Sequence, residues 1–237
     1  MRELGELRIS VAGLGCNNFG RRLNRKETRA VVDAALDAGI NFFDTADVYG
    51  RGGSERQLGK ALRGRRDRVV VATKFGIGKT GELAEAGGFR DYVRTAVEAS
   101  LERLGTDWID LYQYHRPDGV TPIAATLGAL DELVGEGKLR AVGCSNFSAE
   151  QVREAADVAR GAGIAGFVSL QNPYSLLERE VEAEVIPECR RRNVSVIAGA
   201  TKPEQVRSNA RAVCWEPSDA DLAELDAIFP PERGSRD

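Results

Sequence analysis

Short apolar runs alternate with amphipathic stretches along the whole chain, and no other feature limits the fold as much. Strand-like segments fall at 10–14, 40–44, 69–74, 108–115, 140–144, 166–171 and 194–198. Helix-like segments fall at 26–38, 54–62, 92–104, 122–136, 149–160, 179–192, 203–213 and 219–229. Continuous apolar strands separated by helices require a parallel sheet covered on both faces. Boundary signals support the helices. Ser148-Ala-Glu-Gln151 and Thr201-Lys-Pro-Glu204 fit a capping box, in which the hydroxyl and the fourth side chain satisfy free N–H groups. Gly39, Gly105 and Gly161 stand where a left-handed residue would end a helix.

The rhythm runs without an internal linker, which predicts one domain over residues 1–237. Two features favour a barrel over an open doubly wound sheet. Polar residues end several consecutive strands, and barrels place their chemistry at such ends. The Gly13-Leu-Gly15 pair lacks the third glycine and the helix of a dinucleotide fingerprint. The expected class is therefore α/β, a (β/α) TIM-type barrel, shortened to about seven βα units.

Composition removes several functions. With 42% hydrophobic and 29% charged residues in 237, a sizeable core is expected. A net charge of -3 and a pI near 5.5 give no reason to expect a nucleic-acid partner. No stretch reaches the roughly 18 apolar residues of a membrane span. Met1 to Ser10 lacks the apolar region of a secretory signal, so a cytoplasmic protein is expected. Four scattered cysteines without a CxxC pair read as reduced thiols, and a single histidine excludes a multi-histidine metal site.

The strand ends carry the chemistry. Asp44 closes the second strand with Tyr49 just beyond it, Lys74 closes the third and His115 the fourth. If these strands are parallel neighbours, the four side chains meet at one edge of the sheet. Tyrosine is a poor acid, with a free pKa of about 10. A nearby ammonium favours the phenolate and lowers that value, and a carboxylate keeps the ammonium charged. An imidazole can orient a carbonyl by donating a hydrogen bond. Tyr49 as acid, Lys74 and Asp44 as its tuning pair and His115 as orienter form a site for protonating an oxyanion.

These residues sit in longer motifs: Gly13-Leu-Gly-Cys-Asn-Asn-Phe-Gly20, Asn41-Phe-Phe-Asp-Thr-Ala-Asp-Val-Tyr-Gly50, Ala72-Thr-Lys-Phe-Gly76, Asp110-Leu-Tyr-Gln-Tyr-His115 and Gly143-Cys-Ser-Asn-Phe147. Ser169-Leu-Gln-Asn-Pro-Tyr-Ser175 and Gly199-Ala-Thr-Lys-Pro-Glu-Gln-Val-Arg-Ser-Asn209 follow. Together they resemble the aldo-keto reductase family, most closely its bacterial branch related to the potassium-channel β subunits. The resemblance implies an NADPH-dependent reductase of a small-molecule carbonyl, with Tyr49 as general acid. It implies that Ser145, Asn146 and Gln171 hold the nicotinamide carboxamide. Lys202 would face the 2′-phosphate, and Gln205 and Asn209 the adenine end. A phosphate beside the capped start at Thr201 would also suit the helix dipole.

The chain departs from the family pattern at one place. Ala198 meets Gly199 directly, where family members carry another βα unit of at least roughly 30 residues. That stretch supplies the aromatic ring stacked on the nicotinamide and the pyrophosphate cradle. Its absence predicts weak NADPH binding, and an unclosed sheet whose edges invite self-association. A non-catalytic binding or regulatory relative is therefore a second reading. A Schiff-base lyase on Lys74 is a third, which leaves Tyr49, Lys202 and Asn209 unexplained.

Overall fold

The computed structural model describes residues 1–77, 88–175, 178–196 and 218–228. A two-stranded antiparallel hairpin, β1 (Arg2–Leu4) and β2 (Leu7–Ile9), opens the chain. A seven-stranded parallel sheet follows in chain order: β3 (Gly13–Gly15), β4 (Phe42–Asp44), β5 (Val70–Phe75), β6 (Ile109–Tyr114), β7 (Leu139–Ser145), β8 (Phe167–Gln171) and β9 (Ser195–Val196). Between them lie α1 (Arg25–Asp37), α2 (Gly53–Ala61), α3 (Arg90–Leu104), α4 (Ile123–Gly135), α5 (Ala149–Ala162) and α6 (Val185–Arg192). A last helix spans Asp219–Ile228.

The sheet is strongly curled. The Gln171 amide on β8 lies 3.1 Å from the Asp44 carboxylate on β4. Four strand spacings on a flat sheet would separate them by roughly 19 Å. The βα order and the curl are those of the expected barrel type. Among the described residues β3 and β9 form the two outer edges and are not paired with each other.

Strand periodicity sorts side chains into two cores. On the convex side, Phe43, Val71, Phe75, Tyr112, Tyr114 and Val142 pack under the helices with Val32, Leu58, Val97 and Leu130. On the concave side, Phe42, Val70, Ala72, Leu111 and Ala141 form a layer that the hairpin closes from below with Leu4, Leu7 and Ile9. Two residues further along the same faces stand Asp44, Lys74 and Gln113. The polar layer therefore rests directly on an apolar plug.

One element is new and two local expectations are corrected. The hairpin carries only three residues per strand, too short for a period-2 signal. The helix expected at 179–192 is split into a 3-10 turn at Glu180–Glu182 and α6, because Pro187 lacks a donor and fits only the first helical turn. α5 runs through Gly161, and Gly163, at φ +67°, is the left-handed residue that ends it. The capping box on Ser148 forms, with Gln151 reaching back to the Ser148 backbone. The helix expected at 203–213 lies outside the described residues, as do Lys202, Gln205 and Asn209.

Gly59 lets α2 touch the end of α3. A Cβ there would stand 2.0 Å from the Leu104 carbonyl oxygen, which is backbone and cannot swing away. Helix propensity alone would favour alanine by about 1 kcal/mol. Overpacking costs typically about 1–3 kcal/mol and should win here. Gly59→Ala is therefore expected to lower the urea midpoint, and a stabilised variant would contradict this packing.

Candidate active site

The site begins with Asp44, the last residue of β4. Lys74 Nζ lies 2.7 and 2.8 Å from its two carboxylate oxygens and 2.9 Å from the Thr45 carbonyl. Gln113 donates to one Asp44 oxygen at 3.2 Å and Gln171 to the other at 3.1 Å. Three strands thus fix one carboxylate. Lys74 is 1% exposed. Burial works against its charge, yet the Asp44 carboxylate and Tyr49 together outweigh that cost and the Lys74 pKa is raised.

Tyr49 stands on the loop between β4 and α2. That loop is anchored by Ser54, whose hydroxyl lies 2.7 Å from both Thr45 Oγ1 and the Cys16 carbonyl. The next residue, Glu55, is fully buried and accepts from Thr73 Oγ1 at 2.7 Å. Lys74 Nζ lies 5.3 Å from the Tyr49 ring centre. His115, just past β6, meets the Tyr49 ring edge-on, with 6.0 Å between centres. The structure therefore brings Asp44, Tyr49, Lys74 and His115 together.

The electrostatics correct one expectation. Burial raises the Tyr49 pKa, the Lys74 charge opposes it, and Asp44 adds to the rise. The net direction is upward, so the hydroxyl holds its proton more firmly than a free tyrosine. Sequence spacing shows the ammonium but not the desolvation. His115 is pushed down to about 3 by burial, then by the positive charges of Lys74 and Arg116. It is neutral over the physiological range.

Ser145 and Asn146 close the rim at the end of β7. The Ser145 hydroxyl donates to the Gln171 carbonyl at 2.6 Å. The Asn146 amide donates to the His115 carbonyl at 2.8 Å, with Asn146 at φ +59°. Asn172 ties the neighbouring loop to the Phe147 backbone at 2.9 Å. Gln113 belongs to the site as well. Its signal is its position, two residues after Leu111 and two before His115 on one strand face.

The aldo/keto reductase family model matches residues 12–198, a span that includes every residue of this cluster. The chain belongs to the aldo/keto reductase family. Among solved structures, an aldo-keto reductase from Klebsiella pneumoniae in complex with NADPH superimposes with a TM-score of 0.82 at 28% identity. The match covers 95% of this chain and 93% of that one. An aldo/keto reductase from the same organism in complex with NADP and acetate gives 0.82 at 26% identity, with the same coverage. The polar cluster occupies the C-terminal edge of the parallel strands, where TIM-type barrels place their chemistry. Among the described residues of this aldo/keto reductase, no group of histidine, cysteine or acidic side chains could hold a metal ion. No helix among them is long and apolar enough to cross a membrane.

Proposed function

We propose that the protein is an NADPH-dependent aldo-keto reductase that converts small aldehydes or ketones to alcohols at the Asp44, Tyr49, Lys74 and His115 cluster. The observation that carries this reading is the buried Lys74–Asp44 pair beside the Tyr49 and His115 rings. Both solved relatives are complexes with NADPH or NADP. The residues present fit that cofactor. Gln171 Oε1 and His115 Nδ1 are buried without a hydrogen-bond partner. A carboxamide and a carbonyl oxygen have the donors and acceptors to satisfy such atoms. Ser145, Asn146 and Gln171 would hold the nicotinamide end. Lys202, Gln205 and Asn209 would hold the phosphate and adenine end.

NADPH, when bound, supplies a hydride to the carbonyl carbon. This chain's residues manage the proton and the oxygen. Tyr49, kept protonated by its burial, donates its hydroxyl proton to the carbonyl oxygen as negative charge develops there. Lys74 makes the phenolate left behind less costly, and Asp44 keeps Lys74 charged and in place. Neutral His115 orients the oxygen. The direct join of Ala198 to Gly199 leaves fewer contacts for the cofactor, so binding weaker than in a reductase with the additional βα unit is expected. Among the described residues β3 and β9 are outer strands, edges through which copies of the chain would associate.

Fluorescence titration of the purified protein with NADPH and NADH tests the reading. Saturable binding that prefers NADPH is expected. A folded protein that binds neither would overturn it.

A further inference from the structure

A cavity of about 650 Å³ opens between α2, α3 and the loop that carries Tyr49. Its size lies within the roughly 300–1,000 Å³ of small-ligand sites. Asp44, Tyr49, Lys74 and His115 do not line it, so it is distinct from the reductase site. Ile77 and one stripe of α3 with Tyr92, Ala96 and, a turn and more further on, Arg103 line it, and Arg51 and Arg56 join them from the Tyr49 loop and α2.

Among the described residues the arginines here outnumber their ion-pair partners. A Cβ added at Gly52, which sits at φ +80°, would stand 3.0 Å from Arg56 Nη1 and 3.1 Å from Arg103 Nε. Only the absence of a side chain lets both approach that point. Glu55 takes Arg103, with Nε to carboxylate at 2.5 Å, and is shared with Thr73. Arg51 and Arg56 have no ion pair among the described residues, whereas Arg90 and Arg94 both reach Glu132. Arg51 also adopts φ +55°, a left-handed conformation rarely taken by a long side chain.

We propose that this cavity binds a small organic carboxylate with an aromatic or other apolar body. The guanidinium groups offer the paired donors that fit a carboxylate, and Ile77, Tyr92 and Ala96 take the apolar part. Asp47 lines the same cavity and makes the site sensitive to pH. Burial pushes its carboxyl up to about 7, Glu55 on α2 adds to the rise, and Arg103 on α3 and Lys74 on β5 oppose it. Tyr92 on α3 and Tyr112 on β6 also feel its charge. The neutral acid does not repel an anion, while the carboxylate does. Affinity should therefore fall as pH rises through about 7.

Calorimetric titration with naphthoate, and with naphthylmethanol as its uncharged twin, tests this. Naphthoate is expected to bind saturably, and the Arg51→Ala, Arg56→Ala double variant to bind about tenfold or more weakly, the loss of charge-assisted bonds. Both arginines are exposed, so the variant should keep its circular dichroism spectrum and melting temperature. Undiminished binding by the double variant, equal binding of the alcohol, or no binding of naphthoate would overturn the site. Asp47→Asn should flatten the pH dependence between about 6 and 8. A slope that persists in that variant would overturn the role of Asp47.

Discussion

Replacing Tyr49 by phenylalanine is expected to abolish carbonyl reduction while leaving NADPH binding in place. General acid catalysis by a positioned side chain contributes about a hundred- to ten-thousand-fold, and this single hydroxyl is proposed to supply it. The substitution removes one oxygen and keeps the ring, so the edge-on packing with His115 and the position over Lys74 should persist. The loss should therefore appear in kcat, with stability close to that of the parent. Steady-state rates with an aldehyde panel, together with a cofactor titration, check both halves. A variant that retains a tenth or more of the parent rate would remove Tyr49 from the role of acid.

The second large effect is on stability. Lys74→Met replaces a buried ammonium by an apolar chain of similar length and leaves Asp44 without its cation. Breaking a buried pair on one side costs about 3–5 kcal/mol, because the remaining charge is uncompensated. Gln113 and Gln171 still donate to Asp44, which places the expected cost toward the lower end. Adding Asp44→Asn removes the stranded charge, so the double variant should recover part of the loss. Urea unfolding of the parent, both single variants and the double variant measures that coupling. Additive losses would show that the ion pair does not act as a unit.

Much of this site was legible because strand periodicity is rigid. Asp44, Lys74 and His115 each end an apolar run, and parallel pairing in chain order left no other place for them to meet. The register confirms the logic: Asp44 stands beside Ala72, and Lys74 beside Gln113. What the sequence withheld was environment. The proximity of Tyr49 to an ammonium could be read, but not the burial that outweighs it and raises the Tyr49 pKa. Gln113 reads as one more residue of a buried strand, although its amide reaches across β5 to Asp44. The β1–β2 hairpin is not legible because Leu4, Leu7 and Ile9 are too few to show a period, and only packing against Phe42 and Leu111 gives them a purpose. The arginine cavity depends on Gly52 having no side chain, a close approach that no spacing in the sequence reveals.

The most direct test of the central claim is product formation: the parent protein, NADPH and a panel of aldehydes and ketones, with alcohol quantified against NADPH consumed. One alcohol for each NADPH oxidised is the predicted result. NADPH that binds saturably yet is not consumed with any carbonyl would contradict the claim, and would make the cluster the relic of a binding or regulatory relative.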